Sequence, residues 1–294
     1  MRHSIKSTMF VGALLFGLSM CFTSCEDVLG HWEKPTPVTP TPTPTPEPEP
    51  EPTPTPGLLA GKFSVSDTKQ VQFSQGNLQY TKSTETWSFM EHQWSTVETA
   101  GSVGDDYSSQ DVVSLFGWGT SGYNHRTTSY LPYSTVNTDA NYYAYNDVSK
   151  NLYDETGKAD WGYNKISNGG NTENGWRTLT KDEWTYLFNN HTKGWATVNG
   201  VNGYVIRPDG ITTAVEATYD ATAWATEETN GAVFLPAAGR RDNSTVYYEN
   251  GYYWSSSYKS TNAYRVKFSS TEMSPDNDGN RYFGHSVRLV RDAE

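Results

Sequence analysis

Eleven of the 15 prolines fall between Pro35 and Pro56, in a Thr-Pro and Glu-Pro repeat. Proline fixes φ and offers no backbone N–H, so such a stretch can join neither a helix nor a sheet interior. The conformation left to it is an extended polyproline II rod, hydrated by Glu47, Glu49 and Glu51. At about 3.1 Å per residue the rod reaches roughly 70 Å. Everything that folds must therefore come from residues 57 to 294, which hold only four prolines. That length fits one large domain, or one domain with an extra subdomain.

The core of that domain must be aromatic. The chain has 10 Trp, 20 Tyr and 11 Phe, and large rings bury much area per residue in a loop-rich β architecture. The two cysteines, Cys21 and Cys25, both precede the rod. Beyond them the sequence offers no disulfide, no thiolate metal ligand and no cysteine nucleophile. A formal charge of −11 lacks the basic footprint that nucleic-acid binding needs, so no nucleic-acid partner is expected.

Period-two alternation in Phe63-Ser64-Val65, Val71-Gln72-Phe73, Leu78-Gln79-Tyr80 and Trp87-Ser88-Phe89 predicts an N-terminal β meander within residues 57–105. Ser109 to Phe116 reads as a short helix with Gly117 as its C-cap. Residues 120 to 175 read as long ordered loops. Thr180 and Glu183 have capping-box spacing, and Leu179 and Trp184 stand at the staple positions. With Trp184, Leu187 and Phe188 on one face, a helix is predicted from Lys181 to Asn190. Asn199-Gly200 marks a turn between two strand-like runs, and Ala232 to Leu235 reads as a buried strand. Tyr247-Tyr248 and Tyr252-Tyr253 have hairpin-like spacing. In Ala263 to Phe268, Tyr264, Val266 and Phe268 share one face, while Arg265, Lys267 and Ser269 share the other. A polar loop is expected over 270–282, and a final strand over Ser286 to Arg291.

The chain opens with Arg2 and Lys6, an apolar run from Met9 to Phe22, and small residues before Cys25. That run is too short to span a bilayer as a helix and has the build of a secretory leader. Ser24-Cys25-Glu26-Asp27 resembles the start of surface lipoproteins of Bacteroidota-type bacteria. The resemblance implies that residues 1–24 are a signal peptide, that Cys25 carries a diacylglycerol with palmitate-type chains, and that residues 25–34 form an anchor segment before the 35–56 stalk. The implied place is the outer membrane, lipid-anchored and exposed at the cell surface.

Further motifs point to a fold. Gly175-Trp176-Arg177-Thr178-Leu179-Thr180-Lys181-Asp182-Glu183-Trp184 resembles a helix start of the formylglycine-generating-enzyme branch of the C-type lectin-like fold. Leu235 to Arg241, Trp254-Ser255-Ser256-Ser257 and Gly284 to Val290 resemble its later strands. The resemblance implies a β-rich α+β, C-type lectin-like domain over residues 106–294, with few short helices and long ordered loops. That branch includes the variable proteins of diversity-generating retroelements, which are ligand-binding receptors; their variable region corresponds here to Tyr252–Phe283.

No catalytic constellation stands out. The histidines make neither H-x-H nor H-E-x-x-H spacing, and no G-x-S-x-G elbow occurs. No cofactor, metal ligand or catalytic residue is assigned. Asp276-Asn277-Asp278-Gly279-Asn280 has the oxygen density calcium favours but lacks the EF-hand spacing; a plain polar turn is the expectation. Adjacent tyrosines suggest a platform, since one of each pair on a strand should face outward. The sequence thus predicts a lipid-anchored binding module, with Tyr258, Lys259, Arg265, Lys267, Ser269, Asp276, Asn280 and Tyr282 contacting an extracellular protein or glycan. The alternatives are a carbohydrate-binding or nutrient-scavenging lipoprotein, and a metal-dependent enzyme of the same branch.

Overall fold

A computed structural model of the chain describes residues 55–97, 101–102, 110–123, 143, 149–248 and 250–293. The leader, Cys25 and nearly all of the proline stalk lie outside the described residues.

Two hairpins open the fold. β1 (Leu58–Ser66) pairs with β2 (Lys69–Ser74), and β3 (Leu78–Thr81) with β4 (Thr86–Phe89). Alternation buries Phe63, Val65, Val71 and Phe73 on one side of the first pair. The strands lie where period two places them, but they are hairpins in separate sheets rather than one meander. β5 (Gly101–Ser102) and β6 (Val112–Val113) follow. β6 corrects the helix expected over Ser109–Phe116. Two β-branched valines sit where that helix would run, and Val113 pairs with Tyr80 instead. After 3₁₀ turns at Glu155–Gly157 and Trp161–Tyr163 come β7 (Arg177–Thr178) and helix α1 (Lys181–Asn190).

Helix α1 has the bounds and the cap that the sequence predicts. The Glu183 N–H donates to Thr180 Oγ1 at 3.2 Å, and the Thr180 N–H donates to Glu183 Oε2 at 2.9 Å. Both bonds satisfy donors that a helix start leaves open. Trp184, Leu187 and Phe188 are buried; side chains of this kind contribute about 1.5–3 kcal/mol each when taken out of water.

Next, β8 (Lys193–Val198) and β9 (Val201–Ile206) turn through Asn199-Gly200, where both φ angles are positive, at 46° and 82°. A primed two-residue turn needs that pair, because its twist matches that of the strands. β10 (Thr218–Tyr219), helix α2 (Ala221–Thr229) and β11 (Val233–Pro236) complete this unit around Trp224. Asp220 caps α2 by accepting from the Ala223 N–H at 2.8 Å. The sequence reading missed α2, whose charged and threonine-rich run shows little periodicity.

The last third is β12 (Arg240–Asp242), β13 (Thr245–Tyr247), β14 (Gly251–Lys259), β15 (Asn262–Phe268), β16 (Met273–Asn280) and β17 (Leu289–Asp292). The expected tyrosine hairpin does not form: β13 pairs with β12 and β5, whereas β14 pairs with β15. The run expected as a polar loop is largely β16, paired with β15. β17 returns to lie between β2 and β7, so the two ends of the folded region share one sheet.

The described residues are β-rich, with two short α-helices and several small sheets. Among the described residues no helix is long and apolar enough to cross a membrane. The three-stranded sheet β14–β15–β16 is packed on both sides. Tyr253, Val266 and Phe268 enter the cluster under α1, with Phe63, Phe73 and Trp184. Trp254 and Ala263 enter the other large cluster, with Phe116, Trp118 and Trp161.

Candidate functional site

Arg265 lies on the second face of that sheet, opposite Val266, as alternation requires. It does not reach solvent: only 7% of it is exposed. The closing segment 281–286 covers it, held by backbone bridges from His285 to Phe116 and from Ser286 to Tyr253. Gly279 faces the guanidinium, and a Cβ there would stand 2.6 Å from Arg265 Nη1. Arg265 Nε donates to Asn277 Oδ1 at 2.9 Å, and its Nη1 lies 2.7 Å from His285 Nε2. Arginine can only donate, so Nε2 accepts and the imidazole proton sits on Nδ1. His285 is therefore neutral. Burial, then the charges of Arg265 and Arg240, push its pKa well below the usual histidine range. Burial likewise lowers the Arg265 pKa to about 10, which leaves it charged at neutral pH.

Rings hold this buried charge. The Arg265 guanidinium lies 4.8 Å from the Tyr252 ring centre. Tyr252 stacks on His285 at 5.1 Å, and Trp254 packs on its other side at 4.2 Å. Towards the surface, Arg240 of β12 stands 4.7 Å from the Phe283 ring, 5.4 Å from Tyr247 and 6.0 Å from Tyr252. Two guanidiniums thus share the Tyr252 and Phe283 rings, an attraction that strengthens as water is excluded. Arg240 makes no ion pair with the described residues. Tyr247 is half exposed, at 50%. The outcome is a cationic, aromatic cluster: Arg265 and His285 form its buried floor, and Arg240, Tyr247 and Phe283 form its rim.

The predicted contact residues separate into five places. Arg265 is a correction, because it is interior rather than solvent-facing. The parity reading gave its face correctly, but that face is itself roofed. Tyr252 and Tyr253 correct the platform expectation for the same reason, since both are buried. Asn280 and Tyr282 lie near the rim: Asn280 Nδ2 donates to the Tyr282 hydroxyl at 2.7 Å, and Tyr282 meets Phe283 edge-on at 4.9 Å. Tyr258 and Lys259 sit at the β14–β15 tip. Lys259 Nζ pairs with Asp278 at 2.8 Å and lies over the Tyr264 ring, while the Tyr258 N–H donates to Asn151 Oδ1. Lys267 and Ser269 are at the opposite turn. Lys267 pairs with Glu272 at 2.8 Å, and Ser269 Oγ accepts from the backbone N–H groups of Thr271 and Glu272. Asp276 is exposed on β16.

Placing 273–280 in a strand also disperses the oxygen-rich run. Asn277 turns to Arg265 on one face and Asp278 to Lys259 on the other, so their oxygens do not converge. Among the described residues no group of three His, Cys, Asp or Glu is placed to hold a metal ion.

Arg240 and Phe283 are the site residues that sequence reasoning missed. Arg240-Arg241 was visible as part of a strand motif. In a strand one of two adjacent arginines must point away from the core, and that alternation was the available signal. Arg241 is fully buried and Arg240 is not. Comparison of the chain with protein families, with curated proteins and with solved structures finds no match.

Proposed function

We propose that this protein is a lipid-anchored cell-surface binding module, with a C-type lectin-like domain carried on a stiff proline stalk. The leader with Cys25 supports the anchor, and the Thr-Pro and Glu-Pro repeat supports display away from the membrane. The observation that carries the binding reading is the rim of the cationic, aromatic cluster. A guanidinium without an ionic partner among the described residues stands against Phe283 and a half-exposed tyrosine. Tyrosine and arginine dominate recognition surfaces, because rigid rings and a planar donor fork give contact at low entropic cost. Tyr282 and Asn280 extend the rim, and the ligand is an extracellular protein or glycan. The placement rests on the outer membrane's exposed leaflet. Proteinase treatment of intact cells tests it. Loss of the folded domain from the cells, with periplasmic proteins intact, is expected; full protection of the domain would refute surface display.

A further inference from the structure

We propose that the Arg240–Tyr247 rim is a subsite for a carboxylate-bearing sugar unit, its carboxylate taken by the Arg240 guanidinium and its pyranose face laid on the Tyr247 ring. This rests on the binding reading above and names the chemistry of its ligand.

Three observations lead there. First, the cluster holds two guanidiniums and a neutral imidazole. Arg265 donates to Asn277 and His285, whereas among the described residues the side-chain contacts of Arg240 are with rings. A guanidinium stacked on rings keeps its in-plane N–H donors free, and that edge fits a carboxylate in bidentate geometry. Second, Arg240 and Arg265 share the Tyr252 and Phe283 rings, the charge of Arg240 disfavours that of Arg265, and an anion relieves that repulsion. Third, Tyr247 is one of three exposed large apolar side chains among the described residues, and Arg240 stands 5.4 Å from its ring centre. A flat ring beside a charged fork suits a ligand that is itself a flat ring bearing one anion.

The overall charge bears on which anion. At −11 the chain repels a strongly acidic partner such as a polyanionic peptide. A single carboxylate surrounded by neutral hydroxyls gains the local attraction and incurs little of that repulsion.

Saturation-transfer NMR observed on the ligand tests this with the full chain in detergent micelles. The probes are methyl glucuronoside, methyl glucoside and a doubly capped glutamate. Transfer to the glucuronoside is expected, strongest at its ring protons, with the glucoside bound about tenfold more weakly or worse. Arg240→Gln should weaken the glucuronoside by a similar factor, Arg240→Lys by less, and Tyr247→Ala should also weaken it. Added salt should reduce the difference between the two sugars. Equal binding of glucoside and glucuronoside would overturn the anion assignment while leaving a binding face. Capped glutamate binding as well as the glucuronoside, without dependence on Tyr247, would replace the sugar with an acidic peptide. No transfer to any probe would overturn the subsite outright.

Discussion

At the scale of single residues, the buried Arg265 charge is more structural than its sequence position suggests. Arg265 and His285 hold each other in a dry site, with the arginine charged and the histidine neutral. That neutrality has a pH signature. The unfolded chain protonates His285 near its ordinary value of 6.5, whereas the folded chain resists until well below it. Below pH 6.5 the unfolded state therefore binds more protons. Stability is full above that pH and is lost as pH falls, by up to about 1.4 kcal/mol per pH unit from this group. His285→Gln keeps an acceptor for Arg265 and removes the titration, so its melting temperature should vary less between pH 6.5 and 5 than that of the parent. Thermal melts across that range check it, and parallel curves would contradict the assignment. Alternation showed which face Arg265 takes. It could not show that the face is roofed, because the roof comes from residues 281–286 and from β12, far along the chain.

At the scale of elements, what was legible is what is local. The α1 cap is written in four residues, Thr180 to Glu183, and the Asn199-Gly200 turn in two. Both formed where the sequence put them. The β6 strand was not legible, since it depends on β3, distant in sequence; β15 follows β14 directly, but its turn at Ser260-Thr261 carries no Asn-Gly signal. Glu183 carries a second duty beyond the cap. Burial raises its pKa, but the hydrogen bond and charge of Arg177, 2.7 Å away, more than offset this and hold it below 4.5. That contribution is present above pH 4.5 and is lost as pH falls through the lower folded value. Thr180→Ala should cost about 1 kcal/mol. Glu183→Gln should cost more, about 2 kcal/mol, because it also leaves the half-buried Arg177 with one carboxylate fewer. Denaturant unfolding of the two variants at pH 7 checks the order, and a smaller loss for Glu183→Gln would contradict it.

At the scale of the molecule, the β14–β15–β16 sheet is an interior wall rather than an outer face. Tyr253, Val266 and Phe268 serve one core, and Trp254 and Ala263 the other. The recognition surface is therefore displaced to where the closing segment and β12 meet the sheet edge. Its chemistry was partly visible in the sequence as aromatic and arginine content, but its assembly from Arg240, Tyr247 and Phe283 required the fold. The most direct measurement compares two variants of the full chain on an array of extracellular proteins and glycans, with melting temperatures taken alongside. Arg240→Ala with Tyr247→Ala should lose binding by about tenfold or more. Its melting temperature should move by no more than about 3 °C. Arg265→Ala should lower the melting temperature by roughly 5–15 °C, because it opens a buried, hydrogen-bonded site. Undiminished binding in the double variant, or an Arg265→Ala protein as stable as the parent, would contradict a functional rim over a structural floor.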